Sequence, residues 1–147
     1  MNLDNIIYVD SKQHMDGRAI IYIELNKEVR ITKKDNAQVV TFIIKAINKA
    51  LETSKIISNI EEFAIIVELK QYKKSKFGSH LPIALAKTLK VLFPNRLHKC
   101  YLKNAPMVFR CVFRLIYPLL DKDTRKKIFF IKGDKEIPCT EYSLDNE

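Results

Sequence analysis

The sequence has no tryptophan, three glycines and three cysteines among its 147 residues. Gly17, Gly78 and Gly133 lie far apart, so there is neither a G-x-G-x-x-G run nor a P-loop to cradle phosphates, and no G-x-S-x-G nucleophile turn. Cys100, Cys111 and Cys139 are odd in number and form no C-x-x-C pair, which speaks against a disulfide framework or a zinc finger and predicts free, buried thiols in a reducing compartment. Cys100 and Cys111 are expected in the core. No apolar run reaches the roughly 18–20 residues of a membrane span, and the opening MNLDNIIYVD lacks the basic start and long apolar core of a secretory signal. His14, His80 and His98 are scattered without an i,i+4 partner, and His98 is expected as an exposed strand residue. Glu61 and Glu62 are adjacent and do not converge on one substrate. No catalytic set, metal site or cofactor motif emerges, and an enzyme is not expected.

Acidic residues are scarce in one half of the chain. Residues 70–133 hold 16 Lys+Arg against Asp121 and Asp123, a net +14, while the remainder holds 10 against 15, a net −5. Such an asymmetry points to an anionic partner on one face, although a solvated lysine-rich surface explains the same composition. No zinc-finger spacing or glycine-rich RNA-binding motif accompanies the charge, which disfavours nucleic acid.

The length fits one domain with one core at about 16–133, followed by a polar tail at 134–147. Ile6–Val9 reads as a short edge strand or docked arm, and Asp16-Gly17 as a turn. Ala19–Leu25 and Phe63–Leu69 read as strands, the second apolar enough for the centre of a parallel sheet. A helix capped by Asp35 or Asn36 should run to about Thr53, with Val39, Ile43, Ile47 and Ala50 at helical spacing. Residues 27–34 are a polar connection and 70–78 a basic loop. Ser79 can cap a second helix over 81–93. Leu97–Lys103 is a strand, Met107–Leu120 a nearly all-apolar helix with Arg110 and Arg114 on one edge, Asp121–Lys127 a charged turn, and Ile128–Lys132 a strand. Strand, helix, turn and strand make a βαβ crossover. The fold class is therefore α/β, a single mixed, mostly parallel sheet flanked by helices. A helix as apolar as 107–120 is either covered on nearly all sides or meets something greasy that is not protein.

The residues from Phe93 onward also carry a family pattern. Phe93-Pro94 with Arg96-Leu97, then Asn104-Ala105-Pro106, then the apolar helix with Pro118, Leu120 and Asp121, then Thr124 with Lys127-Ile128, resemble in order and spacing the core of the CRAL-TRIO lipid-binding domain. Asp16-Gly17-Arg18 before IIYI resembles the family's entry to its first strand. Three departures mark a minimal version. Asn95 stands where phosphatidylinositol binders carry a Glu, Glu68 and Gln71 stand in place of D-x-x-G, and the C-terminal L-P-x-x-x-G-G is absent.

The resemblance implies binding, and possible transfer, of a hydrophobic ligand, a phospholipid, at anionic membrane surfaces, with helix 107–120 as gate. Helices 36–53 and 81–93 would cover one sheet face and helix 107–120 the other, leaving a greasy cavity beneath it. Phe109, Phe113, Ile116 and Tyr101 would line the ligand site. Thr124 and Lys127, with Asp123 as a cap, would meet the headgroup phosphate, and Arg110, Arg114 and Lys126 would face the membrane. The chain would be cytoplasmic and peripheral to membranes. The alternative is a protein-interaction scaffold: a related group, the BCH type, resembles the same core and binds small GTPases and their regulators with a vestigial pocket.

Overall fold

The computed structural model describes residues 3–25, 30–73, 78–133, 137 and 140–141. Parts of the polar connection and basic loop, Cys139 and most of the tail lie outside these residues. Ten regular elements are described: β1 (Ile7–Met15), β2 (Arg18–Glu24), α1 (Asn36–Ser58), β3 (Phe63–Glu68), α2 (His80–Leu92), β4 (Leu97–Lys103), α3 (Met107–Ile116), α4 (Lys122–Arg125), β5 (Ile128–Ile131) and β6 (Thr140–Glu141). The apolar segment expected as one helix to Leu120 breaks earlier, because its last turn, Tyr117–Leu119, is a 3-10 turn containing Pro118.

The six strands form one sheet in the order β5-β4-β3-β2-β1-β6. β2 through β5 run parallel, and β1 is antiparallel to both β2 and β6. The hairpin joining β1 to β2 was signalled by Asp16-Gly17. Both residues have positive φ, 51° and 83°, which is the type I′ requirement, and Met15 pairs with Arg18 across the turn. β1 is longer than the expected Ile6–Val9 strand because a bulge between Val9 and His14 lets it bend along β2.

Every crossover from β2 to β5 steps in the same direction across the sheet. Right-handed connections therefore bring α1, α2 and α3 onto the same face. This corrects the expectation that helix 107–120 covers the opposite face: Val39, Ile43, Ile47, Leu81, Leu89, Phe109, Val112 and Ile116 share one core with Ile21, Ile23, Ile65, Val67, Cys100 and Leu102. The alternate strand residues form a smaller cluster on the other face, where Met15, Ile20, Ala64, Ile66 and Tyr101 are buried and Ile137 packs against them. One register row, Tyr8–Tyr22–Ile66–Tyr101–Phe129, crosses this face from β1 to β5, with Tyr8 stacked on Tyr22 and Tyr101 on Phe129.

α1 extends beyond Thr53 to Ser58 because its polar residues serve the sheet. The buried Ser54 hydroxyl donates to the Ala50 carbonyl at 2.9 Å and accepts the Ala19 amide at 2.8 Å. Ser58 Oγ donates to the Gly17 carbonyl at 2.7 Å. Asn59 ends the helix in the left-handed region with its amide on Lys55. Asp35 closes a box with Thr32, accepting the Thr32 amide at 2.8 Å, rather than capping α1 directly. Ser79 makes no side-chain cap bond to α2. His98 is not simply exposed: its Nε2 lies 3.1 Å from Asp16 Oδ2, which ties the hairpin turn to β4, and this bond holds the Asp16 carboxyl below its usual range.

Cys100 is buried, and burial pushes its thiol up to about 12. Cys111, expected in the core, is exposed on the outside of α3. Its neighbours Val112 and Phe109 turn inward instead, since one residue step rotates the helix by about 100°.

Two outcomes follow. A Cβ at Gly17 would sit 2.7 Å from the Ser58 Cβ in a backbone conformation of φ +83°. Gly17→Ala should therefore lower stability by about 1–3 kcal/mol in urea unfolding. In a Cys139→Ser background, an aromatic disulfide reagent at pH 8 should modify Cys111 within the mixing phase of the assay, and Cys100 only on unfolding.

Candidate functional site

Between the sheet and helices α2 and α3 lies a cavity of about 70 Å³. Its floor is Ile23, Ile65, Val67, Cys100 and Leu102, and its walls include Leu81, Leu85 and Leu89 of α2. Phe109, Phe113 and Ile116 close it from α3, and Leu120 and Ile128 complete its lower end. No charged, amide or hydroxyl side chain lines it. An apolar void of this size is small beside the roughly 300–1,000 Å³ of a site that engulfs a drug-sized ligand.

Three of the four expected lining residues are therefore brought together. Tyr101 is not. It stands between Cys100 and Leu102 on β4, so strand alternation turns it to the opposite face, against Phe129. The α2 wall was missed, although the buried spacing of Leu81, Ala84 and Leu89 carries a helical period.

α3 is apolar on both sides. Phe109, Val112 and Ile116 are buried, whereas Met107 is 73% and Leu115 58% exposed, with Cys111 between them on the outer face. Arg114 is exposed, and Arg110 lies with its guanidinium 4.6 Å from the Phe130 ring centre. Half-buried Phe113 meets Phe130 edge-on at 5.2 Å and the exposed Tyr117 at 6.1 Å.

The charged turn hangs between two residues that line the cavity, Leu120 and Ile128. Its cap is Asp121 rather than Asp123. Asp121 Oδ1 accepts the Thr124 amide at 2.7 Å. Hydrogen bonds from the Thr124 hydroxyl and amide hold this carboxyl below its usual range, with smaller contributions from Lys127 and from Lys90 at the end of α2. Asp121 takes its place as cap because the helix is a single turn starting at Lys122, which leaves Asp123 inside it. Lys127 is fixed at the backbone, its carbonyl accepting the Cys100 amide at 2.8 Å, and Lys126 is exposed. Arg125, to which the sequence drew no attention, lies with its guanidinium 4.2 Å from the Tyr117 ring centre and its Nε 3.1 Å from the Tyr117 carbonyl.

At the upper end of α3, Asn104 has a φ of 55°. Its side-chain amide donates to Glu68 at 3.1 Å, and its side-chain oxygen accepts the Gly133 amide at 2.9 Å. Glu68 also faces Lys103 Nζ at 3.8 Å. The ends of β3, β4 and β5 are thus knotted at the residue two before the Pro106 that opens α3. Among the described residues no group of histidine, cysteine and carboxylate side chains could hold a metal ion, and no helix is long and apolar enough to cross a membrane.

The fold has solved counterparts. It matches the crystal structure of Sfh5 with a TM-score of 0.66 at 21% identity, over 88% of this chain and 48% of that one. The chain thus spans about half the length of that protein. The CRAL/TRIO domain profile matches residues 4–142. Nearly the whole sequence, the sheet, the apolar helix and the turn that follows it lie within that match, and the chain belongs to the CRAL/TRIO domain family.

Proposed function

We propose that this chain binds a hydrophobic ligand, a phospholipid, between its sheet and α3, and exchanges it at anionic membrane surfaces with α3 as the gate. The observation that carries this reading is the cavity whose lining has no polar side chain and whose one wall, α3, is apolar on its outer side too. A helix facing only water would carry polar residues where Met107 and Leu115 stand. Seated in a bilayer interface, that stripe would be buried, and Arg114, Lys122 and Lys126 would lie among the headgroups.

The cavity is too small for an acyl chain while α3 is in place, so loading requires α3 to move outward. Each large apolar side chain then transferred onto an acyl chain keeps about 1.5–3 kcal/mol of burial energy that water would forfeit. Thr124 and Lys127 belong to the turn between Leu120 and Ile128, and in this reading a headgroup emerges beside that turn. In this reading Lys127 supplies the charge, and Thr124, through its bonds to Asp121, holds the turn in shape. Lys90 adds a second cation from α2.

The small volume also favours the second reading, a protein-interaction scaffold with a vestigial pocket that binds small GTPases or their regulators. The two part on one preparation. Native mass spectrometry of the freshly purified protein, followed by organic extraction, should show one phospholipid per chain. Phe113→Asp should lose that lipid while the far-ultraviolet spectrum of the sheet persists. A bare protein that also takes up no lipid from vesicles overturns the carrier reading in favour of the scaffold. In co-sedimentation with phosphatidylserine vesicles, binding should fall several-fold between low and physiological salt, and binding insensitive to salt would remove the basic surface from the docking step.

A further inference from the structure

The two ends of α3 are held by different means. The upper end is fixed by a part-buried network: Asn104 joins Glu68 of β3 to the Gly133 amide after β5, and its own amide bonds the Ile131 carbonyl at 2.9 Å. Moving that end would break bonds to two other strands. The lower end has no comparable anchor. Its helical ladder stops at Ile116, and the next turn contains Pro118. Beyond the apolar contacts of Phe113, Ile116, Leu119 and Leu120, the polar contact that ties it to the turn is the Arg125 guanidinium, stacked on the Tyr117 ring and bonded to the Tyr117 carbonyl. Arg125 belongs to the turn tied to β4 through Lys127 and Cys100, so this contact joins the helix end to the sheet. Among the described residues no carboxylate pairs with Arg125, which leaves its terminal nitrogens open.

We infer that Asn104 is the pivot of α3 and Arg125 its latch, so that the helix opens from its Tyr117 end, beside Thr124 and Lys127. This inference rests on the gate reading above and adds to it the direction of opening and two positioning residues, neither of which touches the cavity. A half-buried cation over an aromatic ring together with one hydrogen bond is strong enough to bias an opening equilibrium and weak enough to release at a surface.

Hydrogen exchange of the ligand-free protein, read by nuclear magnetic resonance, tests the latch without reference to any lipid. Arg125→Ala should speed exchange at the Leu115, Tyr117 and Leu120 amides by roughly three- to tenfold and leave Arg110 and Cys111 unchanged. Arg125→Lys, which keeps a cation but loses the guanidinium bond, should fall between. Tyr117→Phe keeps ring and carbonyl and should match the natural protein, whereas Tyr117→Ala should resemble Arg125→Ala. Asn104→Gly, which tolerates the left-handed backbone and removes only the side-chain bonds, should speed Arg110 and Cys111 instead. An even rise along the helix in Arg125→Ala, or none, overturns the inference.

The coupling to ligand is then read with pyrene-labelled phosphatidylcholine in vesicles. Arg125→Ala should load and release the probe several-fold faster with the same final occupancy, because the latch does not touch the ligand. A changed occupancy with unchanged rates would make Arg125 a binding residue and refute the latch. The predicted exchange pattern in a protein that never takes up the probe upholds the latch and sinks the carrier reading.

Discussion

The structure depends on the handedness of its crossovers. Three parallel strands are added in succession to one side of β2, and each right-handed connection delivers its helix to the same face. That face therefore holds α1, α2, α3, the main core and the cavity. The last long helix delivered is α3, which stands toward the β5 edge with one long-helix neighbour, α2. Its outer side is left bare, and a helix so placed can move without disturbing α1, whose Ser54 and Ser58 are bonded into the strand and turn beneath it.

The apolar character of α3 sets what the proposed movement would cost. Phe109, Val112, Phe113 and Ile116 face inward. Exposing several such side chains to water costs about 1.5–3 kcal/mol each, a sum comparable to the whole stability of a typical domain. The helix therefore stays closed in water, and an opening with functional meaning needs an apolar surface to receive these residues. The outer stripe of Met107 and Leu115 is suited to the same surface. With α3 in place the void is about 70 Å³, so in the proposed reading a ligand widens it rather than fills it.

The departures from the family pattern take on a physical sense. Glu68, one of the departures from the pattern, reaches both the Asn104 amide and Lys103 and so takes part in the knot at the top of the sheet. Asn95, where a Glu would hold inositol, has a positive φ of 60° and serves the turn into β4, a conformation Asn adopts more readily than Glu.

Much of the fold was legible in the sequence. The alternation of short apolar runs with helical periods announced an α/β sheet, and the Asn104-Ala105-Pro106 corner, the apolar helix and the Thr124–Lys127 turn were legible as the parts of its last crossover. These are local properties, because periodicity, capping and turn chemistry act over a few residues. What the sequence did not settle was decided by contacts between distant segments. Tyr101 faces away from the cavity because strand register, not residue type, determines which side a residue takes. Cys111 is exposed because α3 is covered on one side only. Asp121 rather than Asp123 caps the turn because the break at Pro118 sets where the next helix can begin. Arg125 gained a partner only when the turn folded back on Tyr117, and α3 joined the other helices because three crossovers share one hand. The sequence by itself determined the elements and their chemistry; the tertiary structure decided which face each side chain meets, since that depends on handedness and register summed over the whole sheet.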